Sequence, residues 1–302
     1  MNQQTQFCWV DFYIEFANKL LSYKERRAEL LEILEAAHTQ AGLSYPFMDK
    51  GNPLADICPF TVFAAFNKGI SDGNRSALLK ALASRMDIQA TVPIEFDGIP
   101  VLNNMRSWFF SGEGDRGVDD IEFLWEMFES ALKLADDQTE NNRQNFISYY
   151  NRVIQQNGIK WNITMGLYWV RPNSYLNLDG RNRQFLLESE ETRPIGISSI
   201  FDLKQLPEAE KYLELVEQCK ESFLDGNVPF TSFPKLSLAA WLSTVAEKAT
   251  KDKKVSNARS QWFKPLIEAL KELGGSATPE AARKKIILII NNHKLYSTRY
   301  FP

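Results

Sequence analysis

WNITMGLYWVRPNSYLNLDGRNRQF, residues 161–185, is the stretch around which the rest of the chain is organised. It sets Trp161, Tyr168, Trp169 and Tyr175 beside Arg171, Asp179, Arg181 and Arg183. Aromatic faces combined with guanidinium groups can stack on a base and hold a phosphate. The same mixture can equally close a domain interface, and the residues alone leave both readings open. Within the stretch, Trp161–Tyr168 reads as core and Trp169–Arg183 as surface. Asp179 reads as the cap of a short helix running through Arg183–Leu187.

Working outward, the flanking chain carries helical periodicity. One long helix is predicted over Asp11–Ala41, with Asp11 at its cap and Leu20, Leu21, Leu30, Leu31 and Leu34 as its apolar stripe. Gly42 would end it, and Lys24, Glu25, Arg26 and Arg27 would form its solvated face. In residues 56–69, Pro59 suits a first helical turn, and Phe60, Phe63 and Phe66 recur every three residues, which predicts a buried helix. Further helices are expected over about 74–86, 121–135, 207–224 and 236–250, and from Thr139 to near Gly158. Pro93–Phe110 breaks the pattern with two prolines and a glycine, so an ordered loop is expected. It carries a second polar–aromatic cluster: Asn103, Asn104, Arg106, Ser107 and Trp108. Loops on rigid scaffolds carry recognition residues, although the aromatic members can also pack on the core.

The fold class is therefore mainly α, a multi-helix globular domain with few short strands and a small C-terminal helix–turn–helix segment. The expected divisions are a helical domain over 1–234 with a seam near 188–206, a helix and basic linker over 235–257, and a last segment over 258–302. That last segment holds Trp262–Leu273, two glycines, and Thr278 as a helix cap with Pro279 just inside.

Three scattered cysteines (Cys8, Cys58, Cys219) give no pairing framework, and two histidines (His38, His293) give no zinc pattern, so no metal and no cofactor is expected. The apolar runs are far shorter than a membrane span, and the start, MNQQTQFCWVDF, lacks a secretory pattern, so a cytoplasmic protein is expected. The net charge of −3 hides an asymmetry: residues 235–302 hold 13 Lys and Arg against 5 Asp and Glu, leaving the remainder at −11. A basic end on an acidic body points to a polyanion or an acidic partner there, unless the lysines are a solvated linker.

Catalytic motifs are scarce. No GxxxxGK[ST] string occurs, and the glycine-rich turn at Ser111–Gly117 lacks the Lys and Ser/Thr of a phosphate cradle. Asp119, Asp120 and Glu122 are explained as first-turn charges of a helix. The segment 171–183 is similar to the aspartate-bearing segment of helix–hairpin–helix DNA glycosylases, which would make Asp179 catalytic, but no GxG hairpin lies upstream.

Taken as a set, FTVFAAFNKGI (60–70), GIPVLNN (98–104), WNITMGLYWVRP (161–172) and LNLDGRNR (176–183) resemble the N-terminal region of McrB-type subunits of modification-dependent restriction systems. Separately, residues 266–286 resemble the start of an Mrr-type winged-helix domain. The resemblance implies a DNA-recognition module of a restriction or anti-phage system that senses modified DNA, with an AAA+ motor and a nuclease on other regions or subunits. The residues expected to contact DNA are then Trp169, Arg171, Asn177, Arg181, Arg183, Asn103, Asn104, Arg106 and Trp108, with Trp161 a further stacking candidate. A protein-interaction scaffold with the 161–185 cluster buried is the remaining reading.

Overall fold

The computed structural model describes residues 7–104, 107–245 and isolated positions from 269 to 285. The chain divides into two compact units, Met1–Leu242 and Ser243–Pro302. The first is mainly helical, as the periodicity predicts. It contains α1 (Trp9–Leu21), α2 (Arg27–Gln40), α3 (Pro59–Phe66), α4 (Asp72–Met86), α5 (Asp120–Asp136), α6 (Glu140–Val153), α7 (Asn162–Val170), α8 (Gly180–Glu188), α9 (Ile197–Ile200) and α10 (Ala209–Leu224). Among the described residues the only sheet is a two-stranded antiparallel pair, β1 (Met48–Asp49) with β2 (Asn52–Pro53).

Two short helices are apolar all round and therefore sit at the centre. Every residue of α3 is buried, with Pro59 opening it where its missing N–H costs nothing. In α7 every residue from Ile163 to Val170 is buried. The two can touch because residue 166 is glycine: a Cβ there would lie 2.6 Å from Phe60 Cδ1 and 3.2 Å from Phe109 Cε1. Around this pair the amphipathic helices turn one face inward, α5 lying along α6 and α2 along α4. Local chemistry sets several starts: Ser71, Thr139 and Asp179 each accept a hydrogen bond from the backbone N–H three residues on, capping α4, α6 and α8.

The single long helix expected over Asp11–Ala41 is instead two helices, and Asp11 lies in the first turn of α1 rather than at its cap. After Leu21 the backbone closes tight turns, Tyr23 N donating to Leu20 O and Lys24 N to Leu21 O. Glu25 and Arg26 stay exposed, as expected, but Lys24 and Arg27 are drawn inward toward acids on α5 and at Asp56. Lys24 Nζ reaches Glu126 at 2.5 Å and Glu129 at 2.8 Å, and Arg27 pairs with Asp56 at 3.2 Å and with Glu122. Burial alone would lower the Lys24 pKa, but the two carboxylates outweigh it and hold it raised. Hydrogen bonds from Lys133 and then Lys24 hold the Glu129 carboxyl below its ordinary range.

Within 188–206, where a seam is expected, Ile195 and Ile197 are both buried. Helical residues 233–245 begin within the first unit, and Leu236 and Ala240 are buried in its core. In the second unit Thr278 Oγ1 accepts from Ala281 N at 3.3 Å, as its cap chemistry predicts. The remainder of the linker and helix–turn–helix expectation lies outside the described residues.

Candidate functional site

Much of the stretch 161–185 is the interior of the protein. Trp169 is wholly buried, and its indole N–H donates to Pro100 O at 3.1 Å. Arg171 is only 4% exposed; its Nε and Nη2 donate to the two Asp136 carboxylate oxygens at 2.9 and 2.8 Å. It also donates to Asn18 Oδ1 at 2.7 Å and to Val170 O at 2.9 Å, which ties α7 to α5 and α1. Asn177 is buried, its Oδ1 accepting from Asp179 N at 3.0 Å. These three expected DNA contacts are therefore corrected to structural roles. Each lies where α7 or its exit meets its neighbours, and the apolar content of α7 draws the whole segment inward.

The expected division of the stretch holds for Ile163–Tyr168, which is core, and fails at Trp161 and over Trp169–Leu178. Trp161, at the start of α7, is half-buried and faces an opening, whereas Trp169 to Leu178 packs inside apart from Asn173 and Ser174. Arg183 lies over the Trp161 ring, its guanidinium carbon 3.9 Å from the ring centroid, and donates to Leu203 O at 3.2 Å. Burial holds the Arg183 pKa down, against the pull of the Asp179 charge. Arg181 is half-buried on α8, away from the opening. Asp179 Oδ1 accepts from Asn182 N at 2.8 Å and from Asn182 Nδ2 at 3.1 Å, so its carboxylate caps α8. Arg106 lies outside the described residues.

The opening is a cleft of about 860 Å³. One wall comes from Leu102, Asn103, Asn104, Ser107, Trp108 and Phe110; the other from Asn157, Gly158, Lys160, Trp161 and Asn162, with Lys68 and Pro46 between. Three of the expected residues, Asn103, Asn104 and Trp108, are thus brought together, and Trp161 joins them. Lys68, Lys160, Asn157 and Asn162 were not expected. The adjacency of Lys160 to Trp161, flanked by two asparagines, was the local signal for them.

Buried aromatics hold the first wall in place. Trp9 Nε1 donates to Asp97 O at 3.0 Å, Tyr168 OH to Gly98 O at 3.0 Å and Trp169 Nε1 to Pro100 O, so one loop is pinned by α1 and α7. Gly98, at φ +76°, lets that loop approach Pro234 O, which a Cβ would meet at 2.8 Å. Further on, Leu102 N donates to Asn67 O, Asn104 Nδ2 to Gly69 O at 3.1 Å, and Phe109 N to Thr61 Oγ1 at 3.0 Å. Trp108 stacks on Phe110 at 5.6 Å between centroids. The second wall is a turn organised by Asn162, whose Oδ1 accepts from Lys160 N at 2.7 Å and whose Nδ2 donates to Gly158 O at 3.4 Å.

The cleft's charge is distinctive. Among the described residues its lining holds two lysines and no carboxylate, in a chain with 38 Asp and Glu. Among the described residues neither Lys68 nor Lys160 is in an ion pair, whereas Lys24, Arg27 and Arg171 all are. Burial alone lowers the Lys68 pKa. A partly desolvated ammonium without a counter-charge is a ready partner for an anion. A second depression, of about 430 Å³ beside Asn18, Asp136 and Asp137, carries no aromatic ring.

No curated protein and no solved structure matches the chain. A family described as a domain of unknown function, DUF8425, matches residues 9–243, which is nearly the whole of the first compact unit and includes every residue of the cleft. The chain belongs to the DUF8425 family.

Proposed function

We propose that this chain is a DNA-recognition module of a restriction or anti-phage system, that its site is the Trp108–Trp161 cleft, and that motor and nuclease activities reside on other regions or partner subunits. Bases stack on the indole faces, the asparagine amides meet base edges, and Lys68 and Lys160 meet phosphate. An amide side chain carries both donor and acceptor capacity, which gives the cleft the means to distinguish a modified base edge from an ordinary one. The observation that carries the reading is the pairing of two half-buried tryptophans with two lysines that, among the described residues, are outside any ion pair and share a lining without carboxylates. No catalytic step is part of it, since Asp179 caps α8 and does not line the cleft.

Fluorescence anisotropy with labelled oligonucleotides, with and without base methylation, tests the reading on the full chain. Binding is expected to weaken with salt and to fall at least tenfold in a Lys68→Gln, Trp161→Ala double variant that retains its helical circular dichroism. Binding unchanged in that variant would remove the cleft as the site.

A further inference from the structure

The proposed DNA site leaves open which form of DNA it takes. We infer that the cleft holds two successive bases of an unpaired strand, one on Trp108 and one on Trp161, and that it does not enclose a single base extruded from a duplex. This rests on the reading of the cleft as a DNA site.

Three observations converge. First, each tryptophan already has one face covered by its own neighbour: Trp108 by Phe110, stacked at an interplanar angle of 27°, and Trp161 by the Arg183 guanidinium at 3.9 Å. Both rings are half-buried against the core and line the cleft with the surface that remains, and they come from separate segments of the chain. That makes two stacking positions, each backed by its own neighbour, and successive stacking positions are the arrangement by which single-strand binders take successive bases.

Second, the size fits. Ligand pockets run from roughly 300 to 1,000 Å³, and a flipped base is held in a snug one. A volume of about 860 Å³ stands near the top of that range and has room for two nucleotides with their connecting phosphate.

Third, the surrounding charge opposes a duplex. Residues 1–234 carry a net −11, and the cleft is an acid-free opening within that acidic body. Double-stranded DNA brings a charge about every 1.7 Å along its axis, many more phosphates than two lysines neutralise, toward a body of net negative charge. An unpaired strand can enter with the few phosphates that Lys68 and Lys160 neutralise.

The test compares 5′-labelled dT12, a 12-base-pair duplex and the dinucleotide pTpT, using the full chain and the variants Trp108→Ala, Trp161→Ala and Lys68→Gln/Lys160→Gln. Expected are at least tenfold tighter binding of dT12 than of duplex, and a loss of about 5- to 150-fold for each tryptophan variant, the equivalent of one base stack. The lysine pair, substituted outside the core, should flatten the slope of log affinity against log salt by about 1.4, two phosphates at 0.7 each for a single strand. Competition by pTpT at concentrations where mononucleotide fails would show that two bases suffice.

Duplex binding equal to or tighter than dT12, yet still weakened by these variants, would overturn the unpaired-strand inference while leaving the cleft a DNA site. Loss confined to one tryptophan would overturn the two-platform assignment. Should either tryptophan variant fail to fold, the salt slope of the lysine pair decides: no change in slope overturns the inference. If no variant alters binding of any DNA, the underlying reading falls.

Discussion

Replacing Arg171 by alanine separates a buried strut from a DNA contact. The guanidinium holds four acceptors: both oxygens of Asp136, Asn18 Oδ1 and Val170 O. Breaking a buried ion pair costs roughly 3–5 kcal/mol when the abandoned charge stays buried. Here the Asp136 side chain is 60% exposed and can rehydrate, so the penalty falls on the two neutral acceptors and the lost packing of the arginine stem, and the expected cost drops to about 2–3 kcal/mol. In a unit of this size each kcal/mol moves Tm by roughly 2–4 °C, so Arg171→Ala should unfold about 4–12 °C below wild type. Asp136→Asn, which keeps an acceptor, should cost less than half as much. Circular dichroism melts at pH 7, with DNA titrations on the folded variant at 15 °C, read both effects. A variant melting within 1 °C of wild type but unable to bind DNA would refute the strut and restore Arg171 as a contact.

Three further outcomes follow from the packing. Gly166→Ala drives a methyl to 2.6 Å from Phe60, whose ring is locked between Phe109 and Phe128, so overpacking of about 1–3 kcal/mol should lower Tm by roughly 2–12 °C; an unchanged melt would mean that α3 and α7 are not in close contact. His38 is buried between Tyr45 and Phe47, and burial, only partly opposed by the Leu34 carbonyl, holds its pKa below the ordinary value. The unfolded chain then binds the proton more readily, so His38 lends stability above roughly pH 6.5 that is lost as the pH falls through 6.5 toward the folded value. His38→Gln should flatten the fall in Tm from pH 7 to 5, and parallel pH profiles would contradict this. Burial pushes the Cys58 and Cys219 thiols up to about 12, while Cys8 is half-buried, so a disulfide reagent at pH 8 should titrate one thiol quickly in the native protein and three in denaturant. Three fast thiols without denaturant would contradict the packing of α3 and α10.

The helices were legible because their signals are local. Phe60, Phe63 and Phe66 mark α3 by spacing, and Thr139 and Asp179 mark starts by a hydrogen bond three residues long. The break at 22–26 was not, because the partners that Lys24 and Arg27 find after the turn are acids on α5 about a hundred residues away. The composition of 161–185 named the right region but not which side chains face out. Trp169 and Arg171 look like a recognition pair until α7 is placed between α1, α3 and α5, and only then is it plain that Trp161 is the ring left at the surface. Lys68 was hidden for the same reason: it meets Trp108 and Lys160 only after three distant segments fold together.

The most direct test is photo-crosslinking of a single strand carrying 5-iododeoxyuridine to the full chain, followed by mass mapping of the attached peptides. Crosslinks at Trp108 and Trp161 are predicted. Crosslinks absent from both, with the strand attached instead elsewhere in residues 9–243 or only beyond them, would contradict the account.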